Sequence, residues 1–376
     1  MPRPTSYRRL ALLNLLLASQ GKRILSTIEK STKDSRRKSE AFLLSWIRKN
    51  EKTEFGREHH FSDIRSVSDY QRLVPLSEYS DYLPSLSRME KGEKDLLFRG
   101  KPSYYNETSG TTGKSKRIPV SPLQEKAIAR KGNPQLIPAL EKKNGCFDLR
   151  HRRILALMAN TDLSYTEDGT PVGDVVSMML KDVSGLMNLF FTTPLVSLAS
   201  PEVHDRMYVH LLFGLQDKDV YLLMSAYQSE IVGMVDYLFR NEALLLHDIR
   251  EGRISSEVKI SSSLKEELEW RLRPNPERAE ELRTILSDPD REGILVRIWP
   301  YLKTVSGVGS ETGNLAPYTS LLRHYLGKEG HLYFGAYSAS EGLMAISPDY
   351  DEASYLPLID TSFLEFLPLE IGRAHV

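Results

Sequence analysis

Apolar residues recur along this chain in two rhythms. Phe42, Leu43, Trp46 and Ile47 fall at helical spacing with Arg48, Lys49 and Glu51 opposite, so the opening segment reads as helices packing on something larger. Residues 55–84, rich in Ser, Asp, Tyr and Pro, read as loops and short helices. Beyond them, residues 154–159, 220–226, 303–306 and 331–335 are short apolar runs suited to buried strands. Between these runs the helical spacing returns in Tyr208, Leu211, Leu212 and Leu215, in Ile231, Val235, Leu238 and Phe239, and in Tyr318, Leu321, Leu322 and Tyr325. Alternation of strand and helix predicts an α/β fold in which helices flank largely parallel sheets. Residues 263–290 are heavily charged and broken by Pro274, Pro276 and Pro289, and read as an exposed pair of helices, a charged excursion over 261–293 shaping one wall of a cleft. Residues 10–18 are almost wholly apolar but too short to span a bilayer. Asn14 interrupts them and Lys22 and Arg23 follow, which favours an amphipathic helix over a secretory signal.

Composition narrows the partners. Fifty basic residues against fifty acidic ones leave no net field to gather nucleic acid or an anionic membrane, so any anion must be held by a local site and the partner is a small molecule. The single cysteine, Cys146, can form no intrachain disulfide and no cysteine cluster, which fits a reducing, cytoplasmic setting. His59, His60 and His151 lack partners at metal-ligand spacing, and no serine sits in a nucleophile elbow.

The most informative run is Thr108, Ser109, Gly110, Thr111, Thr112, Gly113, Lys114, Ser115 and Lys116, followed by Ile118 and Pro119. Two glycines allow a tight turn with N–H groups pointing inward, hydroxyls add donors and lysines add charge, a combination that suits a triphosphate. A Walker loop would need glycine where Thr108 stands, so a P-loop NTPase is excluded. Downstream, Tyr337, Ser338, Ala339, Ser340, Glu341 and Gly342 follow the strand expected at 331–335, at the end of a strand where α/β sheets place ligands. Ser306, Gly307, Val308 and Gly309 read as a third, glycine-rich turn after Val305. Arg130 and Lys131 fall on a helix expected after the phosphate loop, where a solvated face is the simpler reading than contact with a substrate carboxylate.

The Ser-Gly-Thr-Thr-Gly-x-x-Lys run is similar to the phosphate loop of the acyl-adenylate-forming superfamily. Residues 53–57, 74–79 and Gly92-Glu93 ahead of it, with 168–173, 298–302 and 363–368 behind, resemble the auxin-responsive Gretchen Hagen family of acyl-acid amido synthetases, in the expected order from about residue 38 to 368. The resemblance implies ATP and Mg²⁺ as cofactors, with a small carboxylic acid and an amino acid as substrates. It implies that Thr108, Ser109, Gly110, Thr111, Thr112, Gly113, Ser306 and Gly307 line the nucleotide site and that Tyr337 lies against the adenine. It further implies that Ser340 donates to the α-phosphate, that Glu341 coordinates Mg²⁺, and that Lys116 holds the departing phosphates. A carboxylate-CoA ligase, or a non-catalytic module of the same fold, would share most of these residues. The family's Arg-x-Gly-Asp ribose motif and its C-terminal domain have no counterpart in this sequence, and 371–376 read as a non-native tail. The expectation is therefore a large N-terminal domain over 1–370 that binds nucleotide weakly and turns over little without the remainder.

Overall fold

The computed structural model describes residues 19, 23, 26–31, 33–108, 115–131, 153–158, 163–180, 190–194, 196–197 and 203–366. Helices come first: α1 (Ser35–Asn50), α2 (Glu54–Glu58), α3 (Val67–Leu73) and α4 (Tyr79–Glu90). The helical stripe read in the sequence is real, since Leu43 and Ile47 of α1 pack with Phe61 and Ile64 in a small core of their own. Thr53 caps α2 by accepting the Gly56 N–H at 3.0 Å, and Ser66 caps α3 in the same way from Asp69 at 3.1 Å. Such caps explain why short helices form in a segment so rich in Ser and Asp.

Strands β1 (Tyr104–Glu107) and β2 (Arg117–Val120) follow, then α5 (Pro122–Lys131), β3 (Arg153–Leu157), β4 (Ser164–Tyr165), β5 (Pro171–Gly173) and α6 (Val175–Leu180). The order continues with α7 (Val203–Gln216), β6 (Val220–Tyr227), α8 (Gln228–Arg240), α9 (Glu242–Glu251), α10 (Ser262–Arg271), α11 (Pro276–Leu286) and α12 (Ile294–Ile298). Last are β7 (Thr304–Val308), α13 (Ala316–Leu326), β8 (His331–Tyr333), β9 (Ala336–Ala339), β10 (Gly342–Ile346) and β11 (Leu356–Pro357).

The four apolar runs form one parallel sheet in the order β3-β6-β7-β8, with Leu223 opposite Val305 and Val305 opposite Leu332. Helices flank it, and Leu155, Leu223, Val305 and Leu332 join Leu212, Val235, Leu322 and the fully buried Trp299 in the main core. The α/β class with a parallel sheet is thus as the alternation predicts. Two smaller sheets complete the fold, β2-β1-β5-β4 and β11-β10-β9, built mainly from antiparallel pairs.

The charged stretch does form two helices, α10 and α11, but it is less exposed than its composition suggests. Leu264, Leu268, Ala279, Leu282 and Leu286 place one face of each helix in the main core. Buried Arg278 donates to the carbonyls of Leu215 at 2.8 Å and Ile298 at 2.6 Å, tying α11 to α7 and α12. Among the described residues no helix is long and apolar enough to cross a membrane. The apolar run at 10–18, His151, Cys146 and the tail 371–376 lie outside the described residues.

Candidate functional site

Strand β1 carries the chain into the phosphate loop, and its alternation assigns each side chain a neighbourhood. Tyr105 points to a cluster with Leu86, Met89, Leu96 and Val172 under α4. Tyr104 points the other way, to a cluster with Ala336, Leu343, Ile346 and Leu358 of the three-stranded sheet's neighbourhood. Asn106 shares the Tyr104 side, and its Nδ2 donates to the backbone carbonyl of Ser340 at 2.7 Å. The strand entering the first motif is thereby fastened to the turn of the second.

Of the residues read as the phosphate loop, Ser109, Gly110, Thr111, Thr112, Gly113 and Lys114 lie outside the described residues. Their two ends are described and close on each other. Thr108 N–H donates to the Lys116 carbonyl at 2.9 Å, and Lys116 N–H donates back to Thr108 Oγ1 at 3.1 Å. The exposed Lys116 ammonium sits 5.3 Å from the centre of the Tyr79 ring and pairs with no carboxylate among the described residues, which leaves its charge open to an anion. Tyr79 Oη accepts the Arg117 N–H at 3.1 Å, which holds that ring at the base of β2. Beside it a groove of about 470 Å³ is lined by Glu78, Tyr79, Ser80, Leu83 and Lys116.

Tyr337, Ser340 and Glu341 do follow β8. The run forms β9, the turn at Ser340 and Glu341, and the start of β10, paired antiparallel with Leu343 opposite Ser338. Tyr337 is 58% exposed, its ring edge-on to Tyr355 at 6.0 Å, and so presents a free aromatic face. Glu341 is exposed and makes no hydrogen bond or ion pair with any described residue. Among the described residues no three His, Cys, Asp or Glu side chains gather closely enough to hold a metal ion by themselves. Mg²⁺ bound with a triphosphate keeps waters and takes phosphate oxygens, needing one or two carboxylates from the protein, and an unpaired Glu341 fits that demand.

The third run needs correction. Ser306 and Gly307 are not a turn; they lie within β7, where Ser306 pairs with Met224 and Tyr333, and the chain leaves the sheet only after Val308. The two glycines have a packing reason. A Cβ on Gly307 would come within 3.0 Å of the Gln228 backbone nitrogen, and one on Gly309 within 2.2 Å of the Gln228 side chain. Gln228 fills that space, donating to the Gly307 carbonyl at 3.1 Å and accepting from Thr319 Oγ1 at 2.6 Å. Close approach of α8 and α13 to β7 accounts for glycine at these positions. Ser306 Oγ is buried and unpaired.

The runs ahead of the loop build its support. A Cβ on Gly56 would lie 2.1 Å from the Asn50 carbonyl, so only glycine lets α2 fold back on α1. Arg88 of α4 clasps Glu54 at 2.7 and 2.9 Å and also pairs with Glu93. Gly92 packs against Asp168, whose carboxylate accepts from Thr166 Oγ1 and Thr170 Oγ1 at 2.7 Å, from Thr170 N–H at 3.1 Å and from Lys101 at 3.3 Å. Burial works to raise the Asp168 pKa, but these donors outweigh it and hold the group down at about 2. Asn106 stands outside every run that the sequence singles out; an amide placed between an aromatic pair and the loop was the available signal.

Comparison with known proteins agrees with this architecture. The family model for the GH3 family N-terminal domain matches residues 24–330. A rice (Oryza sativa subsp. japonica) protein named "Probable indole-3-acetic acid-amido synthetase GH3.11" is 27% identical across 94% of this chain and 61% of its own. Jasmonoyl-L-amino acid synthetase GH3.5 from the same plant is 26% identical across 92% and 60%. The solved structure of GH3.15 acyl acid amido synthetase superposes with a TM-score of 0.80 at 25% identity, covering 91% of this chain and 61% of that one. The chain therefore spans about 61% of the length of the relatives it matches. By fold, motif order and the extent of the family match, the chain belongs to the GH3 family.

Proposed function

We propose that this chain forms the nucleotide-binding part of an ATP- and Mg²⁺-dependent acyl-acid amido synthetase, organised as one large domain over 1–370 and working in the cytoplasm. The observation that carries the proposal is the Asn106–Ser340 hydrogen bond, which brings the strand feeding the phosphate loop against the turn bearing Glu341. The names of the relatives, synthetases joining indole-3-acetic or jasmonic acid to amino acids, support the substrate classes.

A carboxylate resists attack because its charge is delocalised and oxide would have to leave. In the proposed reaction a carboxylate oxygen bonds to the α-phosphorus of ATP as the bond to pyrophosphate breaks. An amino acid's amine then attacks the acyl carbon, AMP leaves, and an amide remains. Lys116, exposed and with no carboxylate partner among the described residues, neutralises phosphate charge. Ser340 donates its hydroxyl to the α-phosphate and Tyr337 offers its open ring face to the base. Glu341 would hold Mg²⁺, which supplies positive charge to the phosphates. Gathering these anions in fixed geometry is the main task of the site.

Acid-dependent exchange of labelled pyrophosphate into ATP tests the adenylation step, using full-length protein containing this chain and a panel of plant-type aryl and alkyl acids. Absence of exchange with every acid would sink it. Adding an amino acid to an exchanging acid should release AMP and form an amide; AMP release with CoA instead would make the protein a thioester ligase.

A further inference from the structure

The sheets that carry the two nucleotide motifs share no ladder. β1 belongs to β2-β1-β5-β4 and the Ser340–Glu341 turn joins β9 to β10 in the other sheet. Among the described residues, the Asn106 Nδ2 donation to the Ser340 carbonyl is the one hydrogen bond that links them. Asn106 is 1% exposed, and its other polar atom, Oδ1, is buried with no partner among the described residues. A buried amide half satisfied is an unfavourable way to fill a core position, because an apolar side chain of similar shape would leave nothing unpaired. Tyr104, two residues back on the same face of β1, belongs to an apolar cluster that a leucine would suit. The amide is therefore explained by the contact it makes and not by packing.

We propose that Asn106 is a positioning residue of the nucleotide site: by holding the Ser340 carbonyl it sets the separation between the C-terminal end of β1 and the turn that bears Ser340 and Glu341. The proposal rests on the synthetase reading, and it assigns a further residue to that reaction. Asn106 need not touch ATP. Ser340 and Glu341 act on the α-phosphate and the metal, so a shift of the turn misaligns the reacting phosphorus while most ground-state contacts of the nucleotide survive. Displacement of about 1 Å at a reacting centre costs on the order of a hundredfold in rate.

Asn106→Leu and Asn106→Asp, made in the full-length protein, separate positioning from folding. Leucine removes both the tether and the unpaired carbonyl. Aspartate keeps the shape but sets an acceptor against the Ser340 carbonyl. Both variants should lose about a hundredfold in kcat of pyrophosphate exchange, with KM for Mg·ATP changed less than about threefold, and Asn106→Leu should melt no lower than wild type. Wild-type kcat in either variant overturns the proposal. So does a loss in Asn106→Leu that accompanies a matching fall in melting temperature while Asn106→Asp stays active. A second readout stands apart from activity: amide hydrogen exchange of residues 340–346 should quicken in Asn106→Leu without ligand. If wild type exchanges no pyrophosphate, the synthetase reading fails while the tether is still decided by those amides. Unchanged exchange at 340–346 would overturn it.

Discussion

Glu341 and Asp168 are carboxylates with opposite surroundings. Glu341 is exposed and has no hydrogen-bond or ion-pair partner among the described residues, so its charge adds little to the fold they form. Glu341→Gln should leave unfolding free energy within about 0.5 kcal/mol of wild type, yet cut Mg²⁺-supported pyrophosphate exchange by at least about tenfold, since one charged ligand contributes about 1.5–3 kcal/mol. Equal exchange at all Mg²⁺ concentrations would show that Glu341 is not a metal ligand. Asp168 is the reverse case: its side chain is 12% exposed and held by two threonines and Lys101. Its folded pKa, about 2, lies below the ordinary aspartate value of 3.8. The folded state therefore binds the proton less readily, and the carboxylate stabilises the fold above pH 4 by about 2 kcal/mol. That contribution fades as pH falls from about 4 towards 2. Urea unfolding of wild type and Asp168→Asn should differ by this amount at pH 6, by about half of it near pH 3, and converge only below about pH 2; a difference constant with pH would exclude the charge as its source.

At the scale of elements, packing overrode two expectations drawn from residue type. Glycines at 307 and 309 suggested a ligand-binding turn, whereas they admit Gln228 where α8 begins against β7. Composition could not reveal this, because the residue that needs the space comes from another element. Gly309→Ala should destabilise by about 1–3 kcal/mol through overpacking, read as a lower urea midpoint with the slope unchanged, and a neutral result would mean Gln228 can turn aside freely. Helices α10 and α11 looked exposed because charge dominates their count, yet Leu268 is fully buried while Trp270, two residues on, is 75% exposed. A helix needs only one apolar stripe to dock. Leu268→Ala should cost about 2–5 kcal/mol and Trp270→Ala less than about 0.5 kcal/mol. Similar losses from both would mean that the helix faces are assigned wrongly.

Across the whole molecule, what was legible in the sequence is what is locally encoded. Residues 154–158 and 220–224 are continuous apolar runs because their strands lie buried in the main sheet, and such runs stand out. Strands β1 and β9 do not, since Asn106, Glu107, Tyr337 and Ser338 are polar, and their pairing depends on partners far along the chain. The Asn106–Ser340 contact spans 234 residues, so the motifs could be recognised one by one but not seen to meet. The same contrast predicts uneven stability. Strands β6 and β7 lie in the large core, whereas β1 and β9–β10 rest on a small cluster around Tyr104, Ile346 and Leu358. Fewer buried contacts make local opening easier. Hydrogen exchange of the free protein should therefore be faster in β1, β9 and β10 than in β6 and β7. Mg·ATP at about 100 times its dissociation constant stabilises every state that keeps the site whole by about 2.7 kcal/mol, so openings that separate β1 from β9 should slow by about a hundredfold. Fraying at the C-terminal end of α11, whose contacts run to α9 and α12, leaves the site intact and should keep its rate. Slowing confined to α11, or none at β1 and β9–β10, would mean that nucleotide does not bridge the two small sheets.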